Sequence, residues 1–315
     1  MTVHIENICP DFFAFWEQAQ ARDRAEQKEL WHRLYEDRHR AVFDVYYSLY
    51  GSPRHLDAAL DRFGPAAPHM QAMMPVVEQS IGRIAPRCQQ FFAALHSDPR
   101  YLIMVGLFCS HAWAAPLRGQ PTSFLTLEHV HDPRHLDITI AHETGHSLHR
   151  HCTRFTGDAT TRTVGQTLFT EGLAVLTSTI VAPGATDAAY LNAPDATWVA
   201  ACERQWNVLR RGLLRDQDRL AWVKPTPYFL ADKTVLGEEV RVVCGGYFVG
   251  YRVVQSLNRQ YTIAEMARWP LERAVTEVRH VLEQMTEYQG DLSETTGPRD
   301  AFSSGRVGGV EPPGV

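Results

Sequence analysis

His142 and His146 stand four positions apart, with Glu143 directly after the first, in the run His142-Glu143-Thr144-Gly145-His146. On a helix, positions i and i+4 lie on one face, a turn apart. Two imidazoles so placed can converge on one tetrahedral zinc ion at about 2.0–2.1 Å each. Glu143 would project beside that metal and take a proton from a zinc-bound water, whose pKa zinc lowers to about 7. The carboxylate could then hand the proton to a leaving group. The chain has 15 histidines, so a solvated helix face that happens to be rich in His is the competing reading. The preceding Leu136-Asp137-Ile138-Thr139-Ile140-Ala141 weighs against it, because it reads as the buried first half of the same helix.

A catalytic zinc needs a third protein ligand and an open fourth position. The long metzincin pattern would require Gly at 149 and His at 152. The chain has His149 and Cys152, so that pattern is rejected. A glutamate on a following helix is the other solution, and Phe169-Thr170-Glu171-Gly172-Leu173-Ala174 fits it. Glu171 lies far enough beyond His146 for a loop and a returning helix. A carboxylate on an otherwise apolar helix is costly unless paired or metal-bound, although a salt bridge at a helix end would also satisfy it. Gly172 is expected to let the two helices approach closely. The expected metal set is His142, His146 and Glu171, holding Zn2+. The neighbouring His129, His131, His135, His149 and His151 each read as solvated or structural, with some of them expected to support the ligands or contact substrate. Cys152 reads as an inert buried thiol, and Thr144 and Gly145 as packing residues.

The elements that would position these groups follow from periodicity. Apolar residues from Asp11 to about Tyr50 fall at helical spacing (Leu30, Trp31, Leu34, Tyr35, then Val42, Val45, Tyr46, Leu49), and Gly51-Ser52-Pro53 ends the run. Residues from about His69 to His96 again read helical, with Pro75 and Pro86 expected to kink or break them. Tyr101–Phe108 is an apolar run of strand length. Ser123–Glu128 alternates like a half-buried or edge strand, with Gly119-Gln120-Pro121 as the loop between. Asp132-Pro133 is a helix start, and that helix should run to about His151. Further helices are expected at Gly165–Val181, Asp195–Asp216, Gly245–Arg259 and Leu271–Tyr288. The Gly-, Ser- and Pro-rich end reads as a flexible tail.

This predicts an α+β, mostly α-helical fold, with an N-terminal helical lobe over 1–100, a catalytic region over 101–289 and a tail over 290–315. Hydrophobic residues make up 44% and charged residues 21% of the chain, and the formal net charge is −5. No basic stripe points to nucleic acid, and the arginines near 204–219 alternate with Asp216 and Asp218. No apolar run reaches the roughly 18 residues that span a bilayer. The start lacks the features of a signal peptide, and six scattered cysteines form no disulfide framework. A cytoplasmic protein is therefore expected, with no membrane partner and an open oligomeric state.

The pair HETGH and FTEGLA resembles the gluzincin metallopeptidases, and within them the families of predicted zinc-dependent proteases of the DUF2268 type. Gly246-Tyr247-Phe248-Val249-Gly250-Tyr251 is similar to a Gly-Tyr-x-x-Gly-Tyr helix in such families. The resemblance runs from about Tyr101 to Arg259. It implies a gluzincin-like zinc-helix domain with a small mixed sheet and helical flanks. It implies hydrolysis of a peptide by a zinc-activated water, with Glu143 as general base. It also implies a tyrosine that steadies the oxyanion, Tyr247 first and Tyr251 second, both expected to face the cleft. The strand Ser123–Glu128 would be the edge that pairs with an extended substrate. An amidase or esterase of a small molecule, and a binding protein on a peptidase scaffold, remain as alternatives, because nothing in the sequence defines a substrate pocket.

Overall fold

The computed structural model describes residues 2–91, 98–154, 161–223, 226–230 and 240–285. It is α+β and mostly helical, with one small mixed sheet. The sheet has the order β1 (His4–Asn7), β2 (Arg100–Met104), β4 (Gln120–Thr126), β3 (Ala112–Leu117). β1, β2 and β4 are parallel and β3 runs antiparallel to β4. β3 and β4 form a hairpin through Arg118 (φ 52°) and Gly119 (φ 75°). Two successive positive φ values match the twist of paired strands. This turn lies one residue ahead of the loop expected at 119–121, and it creates a strand that the sequence pattern did not reveal. The expected boundary near residue 100 is bridged by the sheet, since β1 pairs with β2.

The first helices are α1 (Cys9–Ala19), α2 (Arg24–Trp31), which runs on through a π-type turn at His32–Glu36, and α3 (Arg40–Leu49). Phe12, Phe15, Trp31, Tyr35, Phe43 and Phe63 form their shared aromatic core, all fully buried. Tyr35 and Tyr46 reach out of this core to the segment after β2. The Tyr35 hydroxyl donates to Val105 O (3.0 Å) and accepts from Val105 N (2.9 Å), while Tyr46 Oη accepts from Leu107 N (2.9 Å). Buried Glu128 accepts from Gly106 N (2.9 Å) and Phe108 N (3.3 Å). These side chains take the backbone donors that a longer strand would have used, so β2 ends at Met104 rather than at Phe108.

α4 (Leu56–Phe91) is continuous through Pro65, Pro68, Pro75 and Pro86, where breaks or kinks at two of them were expected. All four prolines are exposed, as are Asp61, Gly64, Gln71 and Gly82 four residues before them. Water can thus satisfy the carbonyls that lose a bond. The opposite face (Leu60, Phe63, Met70, Val77, Ile81, Ile84) is buried and holds the helix together.

α5 (Pro133–Thr153) starts where the sequence predicts, with Asp132 Oδ1 accepting from Arg134 N. It packs on the sheet on one side and on α6 (Val164–Val181) on the other. Thr163 caps α6 in a reciprocal box with Gln166. Then come α7 (Asp187–Tyr190), α8 (Trp198–Arg204), α9 (Trp206–Arg215), α10 (Gly245–Leu257), α11 (Ile263–Met266) and α12 (Leu271–Gln284). The helix expected over 195–216 is thus two helices broken at Gln205, and the expected tail lies outside the described residues. α6 is long and apolar enough to cross a membrane, but 83% of it is buried inside the fold, as a central helix of a core would be.

Two glycine contacts set the helix stack. A Cβ on Gly145 would lie 3.3 Å from Ala174 Cα, so α5 and α6 touch there. A Cβ on Gly172 would lie 2.2 Å from Gly250 O, and one on Gly250 would lie 2.5 Å from Leu168 O. Gly172 therefore faces α10, not α5. The expectation that it lets α5 and α6 approach closely is corrected, and Gly145 has that part.

Candidate metal centre

α5 is pinned on both sides before it presents any ligand. From the sheet, Ser123 Oγ donates to Glu143 O (3.1 Å) and bonds Ser147 Oγ (2.8 Å), and Tyr101 Oη meets Thr144 Oγ1 (2.6 Å). From α6, Ser178 Oγ donates to Ile138 O (3.2 Å). The helix can then turn His142 and His146 to one side without freedom to rotate.

Their Nε2 atoms are 3.1 Å apart, and Glu171 Oε2 on α6 is 3.4 Å from the first and 3.3 Å from the second. Ligands at 2.0–2.1 Å from a tetrahedral zinc lie about 3.3–3.4 Å from one another. The three donor atoms therefore occupy one face of such a tetrahedron, and a His2Glu set is one that zinc takes with an open fourth position. The donor set fits the metal. Burial works against the carboxylate of Glu171, but His146 and His142 outweigh it and hold its pKa below the usual range. His142 shows the reverse balance. Burial disfavours its cationic form, yet the bond to Glu171 and the charges of Glu143 and Glu171 raise its pKa.

Glu143 is 8% exposed, and its Oε2 has no hydrogen-bond partner among the described residues. A buried carboxylate oxygen without a partner is costly, and one beside a metal site is placed to hold a water. Burial raises its pKa against the pull of the two histidines, which makes it a stronger base than an ordinary glutamate.

The site opens into a cleft of about 450 Å3. Tyr247 on α10 lines it, and burial, with Glu171 next, pushes its hydroxyl pKa well up, so the group stays a donor. Tyr251 does not line the cleft. It is 4% exposed in the core, one turn deeper along α10, so the expectation that both tyrosines face the cleft is met by Tyr247 alone. The strand at the cleft is β3, through Ala112, Trp113 and Ala114. The strand read as the edge, Ser123–Glu128, is corrected: β4 is interior, between β2 and β3, and its last residues turn into a 3-10 helix at Leu127–His129.

The other histidines divide by environment. His135 lines the cleft, His129 stacks on His111 (4.2 Å between centroids) and His131 on His69 (5.6 Å). His149 is buried against Phe169, and burial first, then Arg162, His146 and Arg150, hold its pKa down at about 3. Cys152 Sγ donates to Leu148 O within its own helix.

Sequence reasoning missed the cleft residues Arg150 and Arg162. Arg150 had a signal, because it continues the i, i+4 stripe of His142 and His146. Arg162 had none, because only the fold brings it there.

Fold and site together define an α+β protein with a candidate mononuclear metal centre built across two packed helices. The chain belongs to the family described as predicted Zn-dependent protease (DUF2268), which matches residues 116–275. No curated protein and no solved structure matches it.

Proposed function

We propose that this chain is a gluzincin-type zinc peptidase that hydrolyses an amide bond in one step. The observation that carries the proposal is the convergence of His142 Nε2, His146 Nε2 and Glu171 Oε2 at 3.1–3.4 Å beside the unpartnered buried oxygen of Glu143. When bound, zinc would lower the pKa of water and polarise the substrate carbonyl. Glu143 takes the proton of the attacking water and returns it to the leaving nitrogen. Tyr247 donates to the developing oxyanion, where a donor acts most in the transition state. β3 offers its outer edge to an extended chain, so that backbone pairing orients the scissile bond.

The test is elemental analysis of the purified wild type and of Glu171→Ala, together with digestion of a mixed peptide library. The proposal expects about one zinc per wild-type chain, loss of zinc in the variant and cleavage of peptides by the wild type alone. Zinc retained without Glu171 would remove the third ligand from the reading. Zinc bound with no peptide cut would remove the peptidase activity and leave the site.

A further inference from the structure

The cleft continues past the candidate metal centre in one direction as hydrocarbon. α5 and α6 run antiparallel, since Gly145 meets Ala174 while Ser178 Oγ reaches Ile138 O (3.2 Å). Ile138 lies one turn before His142 on α5, and Val175 lies one turn after Glu171 on α6. Both therefore stand to the same side of the three donors, and both line the cleft. α7 folds back over this end and touches both helices. Tyr190 Oη donates to Ala182 O (2.8 Å), at the end of α6, and accepts from Ala185 N (3.1 Å). Leu191 follows it. Trp198 ties α8 to the chain ahead of α10 by donating from Nε1 to Val243 O (2.8 Å). Tyr190, Leu191, Trp198 and Val243 also line the cleft.

The polar atoms at this end are engaged elsewhere. Backbone groups hold the Tyr190 hydroxyl and the Trp198 indole N–H. Thr139 Oγ1 donates to His135 O (3.0 Å) within α5, and Asp187, at the start of α7, is paired with Arg252 (2.5 Å). His135 lies a further turn away from the metal centre along α5, and Asn192 is exposed. The lining beside the donors on this side is therefore carbon. An apolar side chain placed there takes its own surface and that of the wall out of water, whereas a charged one loses its hydration against carbon. The cleft, at about 450 Å3, lies in the range of pockets that enclose a small group.

We infer that Ile138, Val175, Tyr190, Leu191, Trp198 and Val243 form the specificity subsite of this cleft, and that it takes a bulky apolar side chain, aromatic or branched aliphatic, next to the scissile amide. This rests on the peptidase reading for the bond that is cut, whereas the subsite itself needs neither zinc nor turnover. The side chain belongs to the residue before the bond or to the residue after it, and the two cases share one chemistry.

The experiment uses end-blocked tetra-alanine and its variants with Phe, Leu, Lys or Glu at the second or the third residue. Cleavage is measured as kcat/KM on zinc-loaded full-length protein, and binding to the zinc-free protein is measured by calorimetry. Phe and Leu at one of the two positions should raise kcat/KM about 10- to 100-fold over Ala. Lys and Glu there should do no better than Ala, and the same order should hold for binding without zinc. Product masses locate the cut bond and so the side of it that the subsite holds. Leu191→Trp, which fills the subsite, should bring the Phe-to-Ala ratio close to one, and a ratio is insensitive to partial loss of folded protein. Wild-type protein that treats Phe, Leu and Ala alike at both positions, or that prefers Lys or Glu, overturns the inference, and peptides cut in that case leave the peptidase reading in place. A Phe preference that survives Leu191→Trp also overturns it, because the selecting surface then lies elsewhere in the cleft. Phe-selective binding that Leu191→Trp removes, with no peptide cut, retains the subsite and sinks the peptidase reading.

Discussion

Glu143 and His149 are six residues apart on one helix, and the fold gives them opposite treatment. Glu143 keeps a buried oxygen without a partner among the described residues, and burial makes it more basic. Glu143→Gln should keep zinc, because residue 143 is not among the three converging donors, and lower kcat by roughly 10²–10⁴-fold. Metal analysis and steady-state kinetics on the same preparation check this, and loss of zinc would contradict it. His149 is held neutral with its pKa at about 3. Its unfolded pKa is about 6.5, so below that pH the unfolded chain binds a proton that the folded chain refuses. Stability contributed by the neutral ring is present above about pH 6.5 and is lost as pH falls toward 3. Urea unfolding of wild type and His149→Gln between pH 4 and pH 8 should show a steeper loss on the acid side for wild type. Parallel curves would show that residue 149 carries no such linkage.

Among the elements, the stack of α5, α6 and α10 decides whether the ligands meet. Gly172 has the backbone carbonyl of Gly250 where its Cβ would be, and a backbone atom of a buried helix cannot move aside cheaply. Gly172→Ala should destabilise the protein by about 2–3 kcal/mol and weaken zinc binding through displacement of Glu171. Thermal melting and a zinc titration measure the two effects, and an unchanged melting temperature would count against the packing account. Gly82, on the exposed face of α4 with nothing within 4 Å of its Cβ position, is the contrasting case. Gly82→Ala should stabilise by about 0.5–1 kcal/mol, because the unfolded chain loses freedom at no cost in contacts. Much of the element order was legible in the sequence. Asp132-Pro133 announces α5, the apolar run after Thr163 announces α6, and the change of period near Tyr101 announces the sheet. The hairpin strand β3 was not legible, because Ala112–Leu117 has little alternation and its pairing partner is set by the turn at Arg118-Gly119. Nor was the continuity of α4, since a proline in a sequence does not say whether its missing bond faces water.

Across the molecule, the core extends from the aromatic cluster of the first helices through the sheet to α12, and the candidate metal centre is a small part of it. Removal of zinc should therefore leave the helical circular dichroism in place. At zinc 100-fold above its dissociation constant, binding adds about 2.7 kcal/mol, or roughly 4 °C in melting temperature for a chain of 315 residues. Wild type should show this shift on zinc addition and lose it with chelator, and Glu171→Ala should not show it. Unfolding of the chelated protein at room temperature would mean that the fold depends on the metal.

The chemistry on offer is written in local sequence. Two histidines four positions apart, with a glutamate directly after the first, put two donors on one helical face beside a base. A carboxylate in an apolar helix has to be paired, so Glu171 could be named from its neighbours in the chain. Which groups share the cleft was settled only by folding. Tyr247 lines it and Tyr251 packs in the core, because a helix four residues on has turned past a full circle and moved about 6 Å along its axis. β3 and not β4 lines the cleft, because strand order is set by the hairpin. Arg162 reaches the site only through the cap of α6 and the chain that pairs with it at Ala221. Spacing along one helix is local and can be read from a sequence. The meeting of separate elements depends on side-chain volumes and backbone contacts summed over the whole core, and those exist only once the chain has folded.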